Sequence, residues 1–380
     1  MYKRLLKLPA EKSSSIFLFG PRGTGKTSWL MKNVPKAYYI DLLDFETYSQ
    51  LSANPSRLET LIPKDWKEWV VIDEVQRVPE LLNQVHRLIE HRGIYFILTG
   101  SSARSLKRKG VNLLAGRALR YNMHPLTIQE LQEDFDLQHA LSYGLLPMAI
   151  TNKNPKKYLA SYVQTYLREE VLQEGLTRTI NAFSRFLEVA SFSQGEVLTL
   201  SEIAREVAVS RQIIASYFDI LEDLLLAIRI PVFTRRAKRK VVAHQKFYFF
   251  DTGVYRNLRP TGLIDTPEEI DGAALETLFL QSVRAINDYL DLDYKIYYWR
   301  TTAGTEVDFV LYGPRGFYAF EIKRSSSITS KHLKGLKAFK EDYDQASCYL
   351  VHLGKHIEHH DDITVIPMTT LLKQLPDLLA

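Results

Sequence analysis

Residues 15–27 constrain this chain more than any others. Ser15-Ile16-Phe17-Leu18-Phe19 is an apolar run of strand length that passes directly into Gly20-Pro21-Arg22-Gly23-Thr24-Gly25-Lys26-Thr27, and Trp29, Leu30 and Met31 then continue at helical spacing. Strand, glycine-rich turn and helix, in that order, are what a GxxxxGK[ST] segment needs in order to bind phosphate. Glycines 20, 23 and 25 permit a bend that turns several backbone N–H groups onto one anion, and the following helix points its positive end at the same place. The cradle runs over Gly20, Pro21, Arg22, Gly23, Thr24, Gly25, Lys26, Thr27 and Ser28. Lys26 is placed to neutralise the β and γ phosphates of ATP, and Thr27 to set its hydroxyl on Mg²⁺.

A second apolar strand, Val70-Val71-Ile72, stops at the adjacent acids Asp73 and Glu74. Paired carboxylates at the end of a buried strand need a cation or another partner. Asp73 fits as the holder of Mg²⁺, and Glu74 as the group that polarises an attacking water, which makes hydrolysis the expected reaction. The competing reading is that both acids cap the next helix, whose apolar positions Leu81, Leu82, Val85, Leu88 and Ile89 follow Pro79. A third strand, Ile94 to Leu98, ends in Thr99-Gly100-Ser101-Ser102. Placed between the first two, it brings Ser101 or Thr99 toward the γ-phosphate. Arg117 and Arg120, after Leu113-Leu114-Ala115-Gly116, are candidates to reach a phosphate in the same subunit or a neighbouring one, with Arg117 preferred.

These residues resemble the AAA+ superfamily, specifically bacterial and archaeal ATPases in which a compact P-loop domain is fused to a C-terminal domain of unknown function. The resemblance rests on FLFGPRGTGKT, VVIDEVQ, LTGSS, and LLAGRA with HPLTIQEL, then on YFFDTG, EVDFVL and FEIKRS further on, and so spans nearly the whole chain. It implies ATP and Mg²⁺ as cofactors. In one departure, the family often has paired glycines before the proline of the segment written here Tyr143-Gly144-Leu145-Leu146-Pro147.

From Tyr158 to Ala190 the apolar spacing is helical, which predicts a helical lid or connector with Arg168, Glu169 and Glu170 on a solvated face. Two short amphipathic helices follow, opened by Ser201 and Ser210 as N-caps, with Arg211, Gln212 and Ser216 outside on the second. The pattern is that of a helix-turn-helix completed as a winged helix. Arg235-Arg236-Ala237-Lys238-Arg239-Lys240 then falls where a β wing would sit, and five cations in six residues suit a phosphate backbone. The competing reading is a solvated face on a module that packs against protein.

Beyond Gly272 the chain reads as a helix carrying Glu276, a strand from Lys295 to Trp299, and two strands, Glu306 to Tyr312 and Phe317 to Lys323, around Gly313-Pro314-Arg315-Gly316. If Gly313 and Gly316 close a two-residue hairpin, Asp308 faces Glu321. Opposed carboxylates call for a divalent cation or a proton between them, and Lys323 alongside is able to orient water. Asp308, Glu321-Ile322-Lys323 and Glu276 resemble the PD-(D/E)xK nuclease core, in which the acids bind Mg²⁺ and water attacks phosphate. The same register also sets Glu306 against Lys323, an ordinary cross-strand ion pair needing no metal.

The chain has 380 residues, 46% hydrophobic and 24% charged, with no apolar run long enough for a membrane span. Its net charge is only +5, so affinity for nucleic acid has to come from local clustering. A single cysteine, Cys348, excludes an internal disulfide and a multi-cysteine zinc site. The opening residues lack the apolar centre of a secretory signal, which points to a reducing, cytoplasmic location.

The expected fold is α/β: an AAA+-like P-loop parallel-sheet domain over residues 1–145, a helical lid or connector over 146–195, a winged-helix module over 196–250 and a restriction-endonuclease-like domain over 251–380. The expected function is ATP hydrolysis by a protein acting on DNA, with metal-dependent nuclease activity unresolved. The alternative is a nucleotide-driven switch or adaptor with a catalytically silent nuclease fold. DNA is the expected partner, no membrane is expected, and a homo-oligomer and a protein partner both stay open.

Overall fold

The computed structural model describes residues 2–9, 12–101, 114–167, 180–235, 237–263 and 265–380. Two readings fall outside them: the solvated face at Arg168, Glu169 and Glu170, and Arg236 of the basic run. Contacts divide the chain into two compact units, residues 4–124 with 223–226, and residues 1–3 with 125–222 and 227–380. One unit gives way to the other after residue 124, and the segments about residues 195 and 250 both lie within the second unit.

The first unit is built on β1 (Ser15–Phe19), β2 (Tyr38–Asp41), β3 (Val70–Asp73), β4 (Phe96–Gly100) and β5 (Ala118–Asn122), in the order β2-β3-β4-β1-β5. Every pairing is parallel. Strands β1, β3 and β4 are buried at every position, as expected of a parallel sheet covered on both faces. Strand β4 lies between β1 and β3, so Gly20, Asp73 and Thr99 reach one edge of the sheet together. Helix α1 (Lys26–Asn33) leaves the glycine-rich loop, α2 (Phe45–Ala53) is capped by Asp44, and α3 (Leu81–Arg92) buries Leu81, Leu82, Val85 and Leu88. The N-cap of α3 is Glu80, and Glu74 makes no side-chain cap to the short 3-10 turn that follows it. The acid pair therefore does not serve as a helix cap.

In the second unit α4 (Leu137–Tyr143) is followed by α5 (Ile180–Ser191), α6 (Leu200–Val207) and α7 (Arg211–Asp223), then by the antiparallel hairpin of β6 (Ala227–Ile230) and β7 (Lys246–Phe249). Edge-to-face rings join these elements: Phe183 on Tyr217, Phe186 on Phe218, and Phe218 on Phe247. Ser210 caps α7 by accepting from Ile213 N at 3.3 Å. Ser201, expected as a cap, lies inside α6, whose N-cap is Thr199.

Helix α8 (Thr252–Leu258) and the long α9 (Pro267–Tyr289) lead to a six-stranded mixed sheet: β8 (Lys295–Arg300), β9 (Glu306–Gly313), β10 (Gly316–Ile322), β11 (Ser347–His352), β12 (Glu358–His360) and β13 (Ile363–Pro367). Its order is β12-β13-β11-β10-β9-β8, with α10 (Lys334–Asp342) connecting β10 to its parallel neighbour β11 and α11 (Met368–Leu379) closing the chain. Gly316 pairs with Gly313 and Phe320 with Phe309, the register read from the turn glycines.

The YFFDTG segment has a structural task. Asp251, fully buried, accepts from Gly253 N at 2.9 Å and Val254 N at 3.2 Å at the start of α8, and from Leu145 N at 2.8 Å beyond α4. Gly144 ends α4 at φ 73°, where an added Cβ would stand 2.1 Å from Asp251 Oδ1. Only glycine allows that approach. These bonds tie residue 145 to residues 251–254.

Candidate active site

Gly23 (φ 84°) and Gly25 (φ 93°) adopt left-handed backbone, so the bend at residues 20–27 depends on glycine at both. Thr24 is fully buried, its Oγ1 donating to Pro21 O at 2.8 Å. Arg4 braces the loop from outside it, donating to Thr24 O at 2.9 Å and to His124 O at 2.5 Å. Sequence reasoning missed Arg4, because the opening residues carry no motif. Lys26 is buried, with Nζ donating to Gly20 O at 2.7 Å and Pro21 O at 3.4 Å.

Thr27 Oγ1 donates to Asp73 Oδ2 at 2.6 Å, which joins the loop to the acid pair. Thr99 Oγ1 donates to the other Asp73 oxygen and accepts from Glu74 N at 3.1 Å. Asp73 is 3% exposed. Glu74, at φ 59°, occupies backbone that glycine favours, a deviation that recurs at functional sites. Gln76 Nε2 donates to Glu74 Oε2 and to Ser101 Oγ, the latter at 3.1 Å. Thr99 on β4 thus meets the acids directly, and Ser101, just beyond the strand, meets them through Gln76. A hydroxyl and a carboxylate 2.6 Å apart at the mouth of an amide-lined loop form a hard-oxygen donor set that suits Mg²⁺.

Arg117 stands apart from the loop of its own chain. It precedes β5, its carbonyl accepting from Ser15 N at 3.1 Å, and its Nε is bound to Glu90. It therefore stands at the opening end of β1, whereas Gly20 follows the closing end; five strand residues span about 16 Å, too far for a cis arginine to reach the phosphates. Arg120, further along β5, lies over the Phe19 ring at 5.5 Å.

The C-terminal acids do converge, with a difference. Asp308 and Glu321 are both buried, and Lys323 Nζ is 2.6 Å from Glu321 Oε1 and 4.0 Å from Asp308 Oδ2. Glu276 accepts from Tyr248 OH at 2.6 Å. The unforeseen group is Lys246, 2% exposed, whose Nζ contacts Glu306 Oε1 and lies 3.3 Å from Asp308 Oδ1 and 4.0 Å from Glu276 Oε2. Glu306, expected opposite Lys323, is instead held by Lys246 and by Arg300 Nη1 at 3.0 Å.

Burial and the charge of Asp308 raise Glu276 and Glu321 above the ordinary carboxylate range. Burial pushes Asp308 the same way, but the ammonium groups of Lys246 and Lys323 outweigh it and hold Asp308 low. Lys246 is held well above its usual value because the surrounding oxygens outweigh its desolvation. Among the described residues, no group of three or more His, Cys, Asp or Glu side chains has the arrangement to hold a metal ion. A divalent cation does not fit beside the resident ammonium. A lysine opening an otherwise apolar, aromatic strand was the available sequence signal, since a buried ammonium requires counter-charges.

The basic run makes contacts with β9 and α10. Arg235 stacks over the Tyr312 ring at 4.8 Å, Lys238 Nζ donates to Glu341 O at 3.0 Å, and Arg239 pairs with Glu341 and with Asp342 at 3.2 Å. Arg235, Lys238 and Lys240 remain exposed, so these contacts leave the run at the surface. Arg211, Gln212 and Ser216 are exposed on α7, as expected.

Among known proteins, residues 12–132 match a family described as an AAA domain. Residues 134–265 and 271–371 match two domains of unknown function, DUF8612 and DUF4143. The chain is 26% identical over 379 residues to an uncharacterized protein of Mycobacterium tuberculosis, covering 97% of this chain and 83% of that one. An uncharacterized protein of Haemophilus influenzae is 22% identical over 254 residues, 62% of each chain. The solved structure of the Aeropyrum pernix ORC1 protein in complex with DNA is 14% identical, covering 65% of this chain and 87% of that one, at a TM-score of 0.25 that is too low to transfer a fold. No helix among the described residues is long and apolar enough to cross a membrane. With its all-parallel sheet, glycine-rich loop, acid pair and family match, the N-terminal part of the chain carries an AAA-type P-loop domain.

Proposed function

We propose that the protein binds and hydrolyses ATP at the loop of residues 20–27 and couples that cycle to work on DNA. The observation that carries this reading is the chain of contacts Thr27–Asp73–Thr99, with Glu74 beside it at the same sheet edge. Backbone amides of the loop and Lys26 would hold the triphosphate, while Thr27 and Asp73 would hold Mg²⁺, which when bound neutralises charge on the phosphate oxygens. Glu74 orients a water and takes its proton as the water oxygen bonds to the γ-phosphorus; the bond to the β–γ bridging oxygen breaks and ADP leaves. Ser101 and Gln76 fix the Glu74 carboxylate.

DNA contact rests on α6 and α7, whose placement before a β hairpin is the layout of a winged helix, with Arg211 and Gln212 facing outward. A second reading is favoured by Lys246: the restriction-endonuclease-like core is catalytically silent, and the protein is a nucleotide-driven switch or adaptor. ATP turnover measured with no nucleic acid and with single-stranded, duplex and branched DNA, alongside a cleavage assay in Mg²⁺ or Mn²⁺, tests both. Stimulation that weakens steeply with salt supports action on DNA, and the absence of cutting on every substrate supports the silent core. Turnover indifferent to all DNA overturns the coupling, and a cut abolished by Asp308→Ala overturns the silent core.

A further inference from the structure

Past β6 the chain brings Phe233 and Arg235 to the turn end of the hairpin of β9 and β10. With Tyr312, Phe317, Tyr343 and Gln345 they line a pocket of about 530 Å³. Phe233 is central to its aromatic wall, with its ring 5.6 Å from Tyr312, 5.3 Å from Phe317 and 5.3 Å from Tyr343. Tyr312 is 36% exposed, so part of that wall meets solvent, and the Arg235 guanidinium lies over its ring at 4.8 Å. Further along the same segment Lys238 and Lys240 are exposed. Among the described residues no carboxylate pairs with Arg235, Lys238 or Lys240, because Glu341 and Asp342 are taken by Arg239. Asp344 is exposed between Tyr343 and Gln345, one acid against three cations.

We propose that this pocket takes an unstacked base of single-stranded DNA while Arg235, Lys238 and Lys240 meet the flanking phosphates. Aromatic walls beside cations that lack counter-charges match a ligand in which flat rings alternate with anions. Every base has a face to stack, so aromatic platforms hold single strands with little regard to sequence, and arginine planes stack on bases as rings do. A duplex keeps its bases paired and stacked inside, so it offers this surface only its phosphates. Gln345, exposed at the pocket, carries both a donor and an acceptor for a base edge. Tyr343 is 6% exposed and its hydroxyl has no hydrogen-bond partner among the described residues, a polar group that the aromatic wall leaves unmet. The proposal rests on the reading that the protein acts on DNA, but it uses a surface other than α7 and it selects the single strand.

The test is equilibrium binding of the full-length protein, read by fluorescence anisotropy, to labelled probes of equal length: oligo(dT), the same chain with abasic sites in place of its bases, and a duplex. Wild type is expected to hold oligo(dT) at least about fivefold more tightly than the abasic chain. Tyr312→Ala should lose that margin while binding the abasic chain and the duplex as wild type does. Tyr312→Leu, which keeps an apolar residue on the strand, stands in if the alanine variant does not fold. Lys238→Gln/Lys240→Gln should weaken both single-stranded probes and flatten the salt dependence of oligo(dT) binding. Wild type that holds oligo(dT) no more tightly than the abasic chain, or a folded Tyr312 variant that keeps the margin, overturns the proposal. Oligo(U) bound more tightly than oligo(dT), and alone weakened by the Tyr312 change, overturns the assignment to DNA. If the proposal fails, duplex binding that persists and falls in Arg211→Ala leaves the wider reading standing, whereas protein that binds no probe loses both.

Discussion

Glu74→Gln should retain ATP and release phosphate about a hundredfold to a thousandfold more slowly than wild type. Glutamine keeps the shape of the side chain and can still bond to Gln76, but it cannot accept the proton of the attacking water. The contacts that bind nucleotide in this account lie elsewhere, in the loop amides, Lys26 and the Thr27–Asp73 pair. Binding and turnover should therefore separate in this variant and fall together in Thr27→Ala. Steady-state phosphate release, with the nucleotide retained after gel filtration, reads both quantities. Wild-type turnover in Glu74→Gln would assign the proton to another group.

Asp251→Ala should destabilise the second unit by about 3 kcal/mol or more, because three buried backbone N–H groups lose their acceptor at once. The carboxylate is also the link between residue 145 and α8, so the loss should appear as unfolding of that unit in a denaturant titration. Its pH dependence has a defined sign. Burial pushes Asp251 up to about 6, with the backbone bonds to Leu145, Val254 and Gly253 opposing. The folded chain thus holds this proton more tightly than the unfolded one, so the contribution is fully present below about pH 4 and is lost as pH rises through about 6. The stability difference between wild type and Asp251→Asn should move in favour of wild type between pH 7 and pH 5. A difference that is flat across that range would show that the carboxylate does not titrate there.

What could be read from the sequence was local or geometrically determined. The glycine-rich loop needs two left-handed residues and shows a glycine at each, and Asp73 and Glu74 end a strand too apolar to terminate in bare acids. The register of β9 against β10 followed from Gly313 and Gly316 alone, since a two-residue turn fixes every later pair. What escaped was decided by partners far along the chain. Lys246 meets Asp308 across 62 residues, and Arg239 meets Glu341 across 102, so neither the closed cluster nor the engaged basic run leaves a local pattern. The place of Arg117 was hidden for a related reason: its distance from the loop in sequence did not reveal at which end of β5 it would stand.

The most direct measurement of the central claim is equilibrium binding of ATP to the purified, folded chain with and without Mg²⁺, for wild type and for Lys26→Ala. Saturable binding to wild type, strengthened by Mg²⁺ and weakened at least about tenfold in Lys26→Ala, is the predicted result. Folded wild-type protein that binds no nucleotide with Mg²⁺ present, or a Lys26→Ala variant that binds it undiminished, would contradict the account.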